Sequence, residues 1–418
     1  MARATIAILL LGCCTCAVWS VNDRLREVFS WRQLDFVFPD QKTRQAAIAS
    51  GEYVQANNLP LGLEVWRDKL FITVPRWKAG VASTLNYVSL GSDSDRNRSP
   101  PLVPYPNYAT NRLPANNQQA AGRIVNTFRM AVDACNRLWL VDMNAANGTE
   151  YGDPKLMVFD LNTDRKVRQY TIGASLRRSD GSTWFPGLTV DVDANQCDRA
   201  HAYLPDIGWG MVVYRWRDDV AWRVEHPYFF FDPMATVFNM GGVRTEWQDG
   251  VFGVALSRRR ANGRRTLYFH ALASTRMFGV DTSVLQSNGT AAATYDEYRH
   301  LGYRPSGMQA ATMAMDPVTG TLFYALVNQD AIGCWNPDRW DGRHSTNTSA
   351  VVARDPVALN FPSDVKVDAN SNLWVLSDRM PRFRFRVAEF DVTDVNYRVL
   401  SAPVVRMIKG TVCDNNDS

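Results

Sequence analysis

Along the chain, short apolar runs alternate with polar punctuation, and the runs come in pairs joined by a turn. The clearest pair is Val132-Asp133-Ala134-Cys135-Asn136-Arg137-Leu138-Trp139-Leu140-Val141. It returns as Val367-Asp368-Ala369-Asn370-Ser371-Asn372-Leu373-Trp374-Val375-Leu376. Both read as strand, Asp-led turn, strand, because Asp and Asn tolerate the left-handed conformation and bond their own backbone. The same phrase recurs with variations. Leu61–Trp66 turns at Arg67-Asp68-Lys69 into Leu70–Val74, and Leu188–Asp193 turns at Ala194-Asn195 into Ala200–Leu204. Val251–Leu256 passes through an arginine-rich turn to Thr266–His270, and Thr312–Met315 passes through Asp316–Gly320 to Thr321–Val327. Most copies open with a small or turn-forming lead, such as Pro60-Leu61-Gly62, Pro186-Gly187, Asp249-Gly250, Ser306-Gly307 or Pro362-Ser363-Asp364; the second copy opens instead with Asn126-Thr127-Phe128.

Six such units at a period of about sixty residues cannot each bury a hydrophobic face alone, so neighbours must stack. Units of roughly four strands arranged radially are propeller blades, and radial closure protects strand edges. The fold expected is an all-β, six-bladed β-propeller, with residues 21–418 as one domain. Leu90–Gln119 and Asp281–Tyr303 read as long surface loops.

The N-terminus changes the picture of where this fold operates. Arg3 precedes an apolar run, Ile6–Leu11, followed by small residues through Ala17 and Ser20. Residues 1–20 are expected to be a secretory signal peptide, too short to span a bilayer. Of 7 cysteines, Cys13, Cys14 and Cys16 fall within it, leaving Cys135, Cys197, Cys334 and Cys413. An even number in an exported chain favours two disulfides, and the scatter excludes zinc-ligand spacing. Cys135 and Cys197 fall in the turns of consecutive units, and Cys413 ends the chain, so the pairs expected are Cys135–Cys197 and Cys334–Cys413. Acceptor tripeptides for N-glycosylation occur at Asn97, Asn147, Asn288, Asn347 and Asn416, in polar stretches that suit an extracellular protein. Lys and Arg total 46 against 42 acids, a balance that gives no reason to expect nucleic acid or a membrane surface as partner. Arg258–Arg260 and Arg264–Arg265 flank Asn262-Gly263 and read as a solvated hairpin tip.

Several segments resemble one family. Trp31-Arg32-Gln33-Leu34-Asp35-Phe36, Gly51-Glu52-Tyr53 and Asn58-Leu59-Pro60-Leu61-Gly62 are similar to the entry of the insect yellow / major royal jelly proteins. Leu70-Phe71-Ile72-Thr73-Val74-Pro75-Arg76-Trp77-Lys78-Ala79-Gly80-Val81 resembles that family's most specific motif. Phe323–Asn328 with Gly333-Cys334-Trp335-Asn336, then Phe361–Asp364 and Leu373–Ser377, complete the pattern from about Glu27 to Cys413. The resemblance implies a secreted six-bladed propeller with a role in melanin and cuticle pigmentation. Some members are credited with converting dopachrome, others bind biogenic amines, and others are nutritive or structural.

No nucleophile elbow, phosphate loop or His-Glu-x-x-His is present, and the five histidines stand far apart, so nothing points to a metal or another cofactor. A propeller holds its ligand in the central channel, at the mouth where the innermost strands begin. The residues expected there are Glu64, Asn126, Asp249, Gln309 and Asp364 at strand openings, and Asp142, Asp206, Asn328 and Asp378 from loops. Each has an alternative role as a turn former or as an acceptor locking blades together. Dopachrome conversion would need a base, Asp249 or Asp364, and a cation for the substrate carboxylate, Arg76 or Arg304. Binding of a catechol- or indole-amine such as dopamine or serotonin would need an acceptor and aromatic walls, with Asn328, Gln309 and Tyr324 as candidates. A calcium site of the gluconolactonase type would need Glu64 converging with Asp and Asn on one cation. Arg76 has a second reading, with its guanidinium over a ring pinning the first blade to its neighbour.

Overall fold

The turn phrase that repeats in the sequence is one hydrogen-bonded device. In a computed structural model describing residues 24–91, 98–287 and 291–414, Asp133 Oδ1 accepts the amides of Cys135 and Arg137 at 2.8 and 3.0 Å. Its Oδ2 accepts the Trp139 indole N–H at 2.7 Å. Asp368 does the same for Asn370, Asn372 and, at 2.8 Å, Trp374. The left-handed residue of each turn is Asn136 or Ser371. One carboxylate thus closes the hairpin and anchors the buried tryptophan of its second strand.

Six four-stranded antiparallel sheets follow. Blade 1 comprises Gly62–Trp66, Lys69–Thr73, Leu85–Ser89 and Val103–Pro104; blade 2 comprises Thr127–Val132, Arg137–Asp142, Lys155–Asp160 and Arg165–Thr171. Blade 3 is Thr189–Asp191, His201–Asp206, Gly210–Arg215 and Val220–Glu225, and blade 4 is Val251–Leu256, Thr266–Ala271, Arg276–Asp281 and Arg299–Tyr303. Blade 5 is Met313–Met315, Leu322–Leu326, Ala331–Trp335 and Ser349–Arg354. Blade 6 takes Pro362–Val367, Asn372–Ser377 and Tyr397–Pro403 from the C-terminal part and Arg26–Trp31 from the N-terminal part. That shared sheet closes the ring, and the first strands of the blades contact one another around the central channel. The expected six-bladed propeller is therefore the fold. Two small hairpins, Ala145–Ala146 with Thr149–Glu150 and Val237–Met240 with Val243–Glu246, stand outside the blades.

The two segments read as loops are not wholly so. Val103–Pro104 is the outer strand of blade 1, and Arg299–Tyr303 is the outer strand of blade 4. Val103–Pro104 is only two residues long in a proline-punctuated stretch, and Arg299–Tyr303 is half in solvent and interrupted by glycine, so neither reads as a strand. The arginine-rich turn is exposed, and most of its charges are paired: Arg258 with Asp338, Arg259 and Arg265 with Asp191, Arg260 with Asp281. Residues 1–20, with the proposed signal peptide, and Asn97, Asn288 and Asn416 lie outside the described residues; Asn147 and Asn347 are both exposed.

Disulfides join Cys135 to Cys197 and Cys334 to Cys413. The first ties the inner-strand turn of blade 2 to the corresponding connection of blade 3, and the second fastens the C-terminal segment to blade 5. Blade 1 is fastened to blade 2 by Arg76, which is only 2% exposed. Its guanidinium donates to the carbonyls of Val81, Ala82, Asn111, Ile124 and Val125. No ring lies under it among the described contacts; the cation over Trp77 is Arg384, at 5.1 Å from the ring centroid. Burial lowers the Arg76 pKa to about 10, which leaves it charged at neutral pH.

Two outcomes follow for stability. Arg76→Lys keeps the charge but cannot reach five carbonyls, so urea denaturation should show a loss of about 2–4 kcal/mol; an unchanged midpoint would show that these bonds contribute nothing. Replacing Cys334 and Cys413 together by serine should lower stability by about 2–4 kcal/mol through the freed C-terminal segment. Non-reducing peptide mapping of the parent protein that joined Cys334 to any cysteine but Cys413 would contradict the pairing.

Candidate functional site

Where the inner strands begin, the channel opens into a cavity of about 320 Å³ to which all six blades contribute. Leu61, Phe128, Pro186, Asp249, Ala311 and Phe361 come from or just beside the leads of blades 1 to 6 in turn. Trp77, Trp184, Trp247 and Phe252 complete an aromatic wall. Phe128 packs edge-on to Trp184 at 4.8 Å and lies 5.6 Å from Trp77. The volume suits one small ring system, and the lining is mostly apolar with few polar groups, the usual make-up of a small-molecule site.

Three charged side chains face it: Arg129, Asp249 and Arg384. Arg129 is buried and forms the floor. Its terminal nitrogens donate to the carbonyls of Pro186 at 3.1 Å and Ser363 at 2.7 Å, its Nε stands 3.8 Å from Asp364, and its guanidinium lies 5.1 Å from the Phe252 ring. Asp249 is half-buried at the lead of blade 4, where Gly250 packs so closely on the Phe229 carbonyl that a side chain there would clash at 2.5 Å. Burial pushes the Asp249 carboxyl up to about 6, against a smaller opposing pull from Arg384. Arg384 belongs to the short helix Met380–Phe385, which crosses the mouth.

Of the residues expected at the site, only Asp249 lines this cavity. Most of the others stand behind it and fix the backbone of those that do. Asp206 accepts the Trp184 amide at 2.9 Å and also binds Arg223. Asn126 Oδ1 accepts the Arg76 amide at 2.8 Å, one residue before Trp77, and Asp142 accepts the amides of Val125 and Asn126. Gln309 donates to the carbonyls of Ala235 and Val237 and accepts from Asn328, whose own Oδ1 accepts the Asn239 amide. That pair holds the Val237–Glu246 hairpin next to Trp247. Asp364 accepts the Leu63 amide at 3.0 Å and faces Arg129. Asp378 accepts the Met380 amide at 3.0 Å at the start of the mouth helix, and burial pushes its carboxyl up to about 8.

The remaining candidates sit apart. Arg76 is committed to backbone carbonyls. Arg304 is buried between blades 4 and 5, donating to Met308 and Ser274 with the Tyr324 ring 5.2 Å away, so neither cation reaches the cavity. Tyr324 donates to the Cys334 carbonyl. Glu64 opens into a separate, more polar cavity at the far end of the channel, where Lys366 lies 3.5 Å from it. A strand rises about 3.3 Å per residue, so two positions past the lead already lie well below the mouth. With Lys366 on its carboxylate, Glu64 is a poor start for a calcium site, and among the described residues no group of three or more His, Cys, Asp or Glu could hold a metal ion.

The residues the sequence reading missed are aromatic and cationic: Trp77, Phe128, Trp184, Trp247, Phe252, Arg129 and Arg384. A signal was present. Trp184 and Trp247 each precede a lead by two residues, and Trp77 comes three residues after the Leu70–Val74 run, each beside turn-forming or polar residues. A tryptophan there has no strand of its own to pack in, so it marks a wall.

Comparison with known proteins identifies a family. The family model described as "Major royal jelly protein" matches residues 125–413. "Protein yellow" of Drosophila yakuba is 38% identical over 398 residues, covering 94% of this chain and 71% of that protein, and "Protein yellow" of Drosophila melanogaster gives the same identity and coverage. Among solved structures, a protein of unknown function from Bacteroides thetaiotaomicron VPI-5482 aligns with TM-score 0.47 at 11% identity, over 91% of this chain and 75% of that one, too distant a likeness to carry an argument. On the family model and these relatives together, the chain belongs to the yellow / major royal jelly protein family.

Proposed function

We propose that this is a secreted yellow-type protein of melanin and cuticle pigmentation that takes dopachrome into the channel mouth and isomerises it. Export is supported by the apolar N-terminal segment, the two disulfides and the exposed acceptors Asn147 and Asn347. The observation that carries the chemistry is Asp249. Among the described residues it is the one carboxyl lining the channel-mouth cavity, its carboxylate accepts no hydrogen bond there, and its pKa is lifted to about 6 by burial. A base with that pKa is ionised at neutral pH and still basic enough to take a proton from carbon. Dopachrome carries acidic ring protons next to its carboxylated carbon. Asp249 removes such a proton, the electron pair moves through the ring to a quinone oxygen, and that oxygen is protonated. Each proton lost from carbon is returned to oxygen, so the conversion is an isomerisation that needs no oxidant, reductant or metal. Stacking on Trp77, Trp184 and Trp247 would hold the flat ring.

A second reading, binding of dopamine or serotonin without turnover, has one observation in its favour: the same lone carboxylate among aromatic rings suits an ammonium group. Purified protein mixed with fresh dopachrome separates the two. Loss of the quinone absorption above the spontaneous rate, abolished in Asp249→Asn, supports conversion. Tight calorimetric binding of the amines with no acceleration supports the second reading, and Asp249→Asn turning over at the parent rate would remove Asp249 as the base.

The pH dependence has a definite sign. Conversion needs ionised Asp249, so the rate should rise as pH increases through about 6. Stability moves the other way. A carboxyl whose pKa is higher in the folded state than unfolded contributes stability below its unfolded pKa, and loses it as pH rises through the folded value. Asp249→Asn should therefore unfold at a higher temperature than the parent at pH 8, and the difference should vanish near pH 4. A variant less stable at pH 8 would mean that Asp249 is a structural residue.

A further inference from the structure

The channel mouth holds two arginines in very different states. Both terminal nitrogens of Arg129 are committed to carbonyls, and its Nε faces Asp364, so its charge is fixed in place and largely balanced. Arg384 makes no hydrogen bond or ion pair among the described residues. Its guanidinium lies 5.1 Å from the Trp77 ring centroid, 5.9 Å from that of Phe385, and is close enough to Asp249 to oppose the rise of that carboxyl's pKa.

The backbone beneath it is held firmly. Lys78 donates to the Phe383 carbonyl at 3.1 Å and lies 3.7 Å from the Phe383 ring centroid. Arg382 reaches the Gly241 carbonyl at 3.5 Å, and Phe385 packs edge-on to Trp247 at 5.7 Å. The helix Met380–Phe385 is thus tied to blade 1 on one side and to the Val237–Glu246 hairpin on the other, while the Arg384 donors stay free. A guanidinium lying on an indole face keeps its in-plane N–H edge open, and that edge matches a carboxylate at two points.

We infer that Arg384 is the specificity-determining residue of the site, which selects planar aromatic ligands bearing a ring carboxylate over otherwise identical ligands that lack it. The inference rests on the reading of the channel mouth as a ligand site. It assigns the carboxylate-holding role to the one cation there with free donors, and places that carboxylate on the Trp77 side of the ring, across from Asp249. An anionic ligand group then neutralises Arg384, which otherwise pairs only diffusely with Asp249.

The test is calorimetric titration of the full secreted protein with 5,6-dihydroxyindole-2-carboxylate and with 5,6-dihydroxyindole, under nitrogen at pH 7.5. The parent should bind the carboxylate roughly tenfold or more tightly than the parent indole, as expected for a charge-assisted pair of hydrogen bonds. Arg384→Gln should bring the ratio near one by weakening the carboxylate alone, Arg384→Lys should recover part of it, and Asp249→Asn should keep it. Arg384 is exposed, so these variants should fold as the parent does. A parent ratio near one, no measurable binding of the carboxylate, or an unchanged ratio in Arg384→Gln overturns the inference. The ratio and turnover fail separately: a preserved ratio without dopachrome conversion removes the catalytic reading and leaves the clamp, and dopachrome conversion by the unmutated protein with its own ratio near one removes the clamp and leaves the catalytic reading.

Discussion

A guanidinium fixed across the channel organises this propeller. Arg129 rises from the first strand of blade 2 and donates to carbonyls at the leads of blades 3 and 6, while its plane lies near a phenylalanine of blade 4. Asp364, facing it from blade 6, accepts an amide from blade 1. The amide of Val365 donates in turn to Thr312 in the lead of blade 5. A single buried ion pair and its neighbours thereby engage the inner edge of every blade. Burying such charges is tolerable only because hydrogen bonds satisfy them, and removing one partner would leave the other stranded in a dry interior. The arrangement also divides the channel. Above Arg129 lies the aromatic cavity; below it lies the more polar cavity around Glu64 and Lys366.

Above that floor, the structure separates rigidity from chemistry. Carboxylates and amides on the loops hold the main chain of the wall residues, Asp206 at Trp184, Asn126 next to Trp77, Asp378 at the start of the mouth helix. None of these polar groups lines the aromatic cavity. The groups that do are packed rings and aliphatic side chains over the Arg129 floor, plus Asp249 and Arg384, whose side chains have no committed hydrogen bonds among the described residues. A site supported in this way can present unpaired charge without letting its walls shift, which is what preorganisation requires. Unpaired charge is also where stability is given up for function, and Asp249 shows it in its raised pKa.

How much of this could be read from the sequence depends on what kind of physical signal each part leaves. The blade phrase was legible because it is local: Asp133 and Trp139, or Asp368 and Trp374, bond each other within one hairpin. The disulfides were legible from the positions of four cysteines within that repeat. The outer strands Val103–Pro104 and Arg299–Tyr303 were not, because the first is two residues in a proline-punctuated stretch and the second, half in solvent, has no apolar alternation to announce it. The aromatic cavity does open at the strand leads, but of the residues expected there only Asp249 lines it. A polar residue at a lead can point into the channel or turn back to a neighbour's amide, and that choice depends on residues far away in sequence, as Asp364 and Leu63 show. Arg76 and Arg304 illustrate the same limit. An arginine caged by carbonyls and one open to a ligand look alike in a string of letters.

On this reading of the channel mouth, ligands are held above Arg129, among the tryptophans, and not elsewhere in the ring. A crystal structure with 5,6-dihydroxyindole-2-carboxylate bound tests it most directly. The expected result is density for one ring system stacked on the tryptophan wall, with its carboxylate at the Arg384 guanidinium and its ring edge toward Asp249. Ligand seated instead beside Glu64 and Lys366 at the far end, or a channel mouth left empty at saturating ligand, would contradict it.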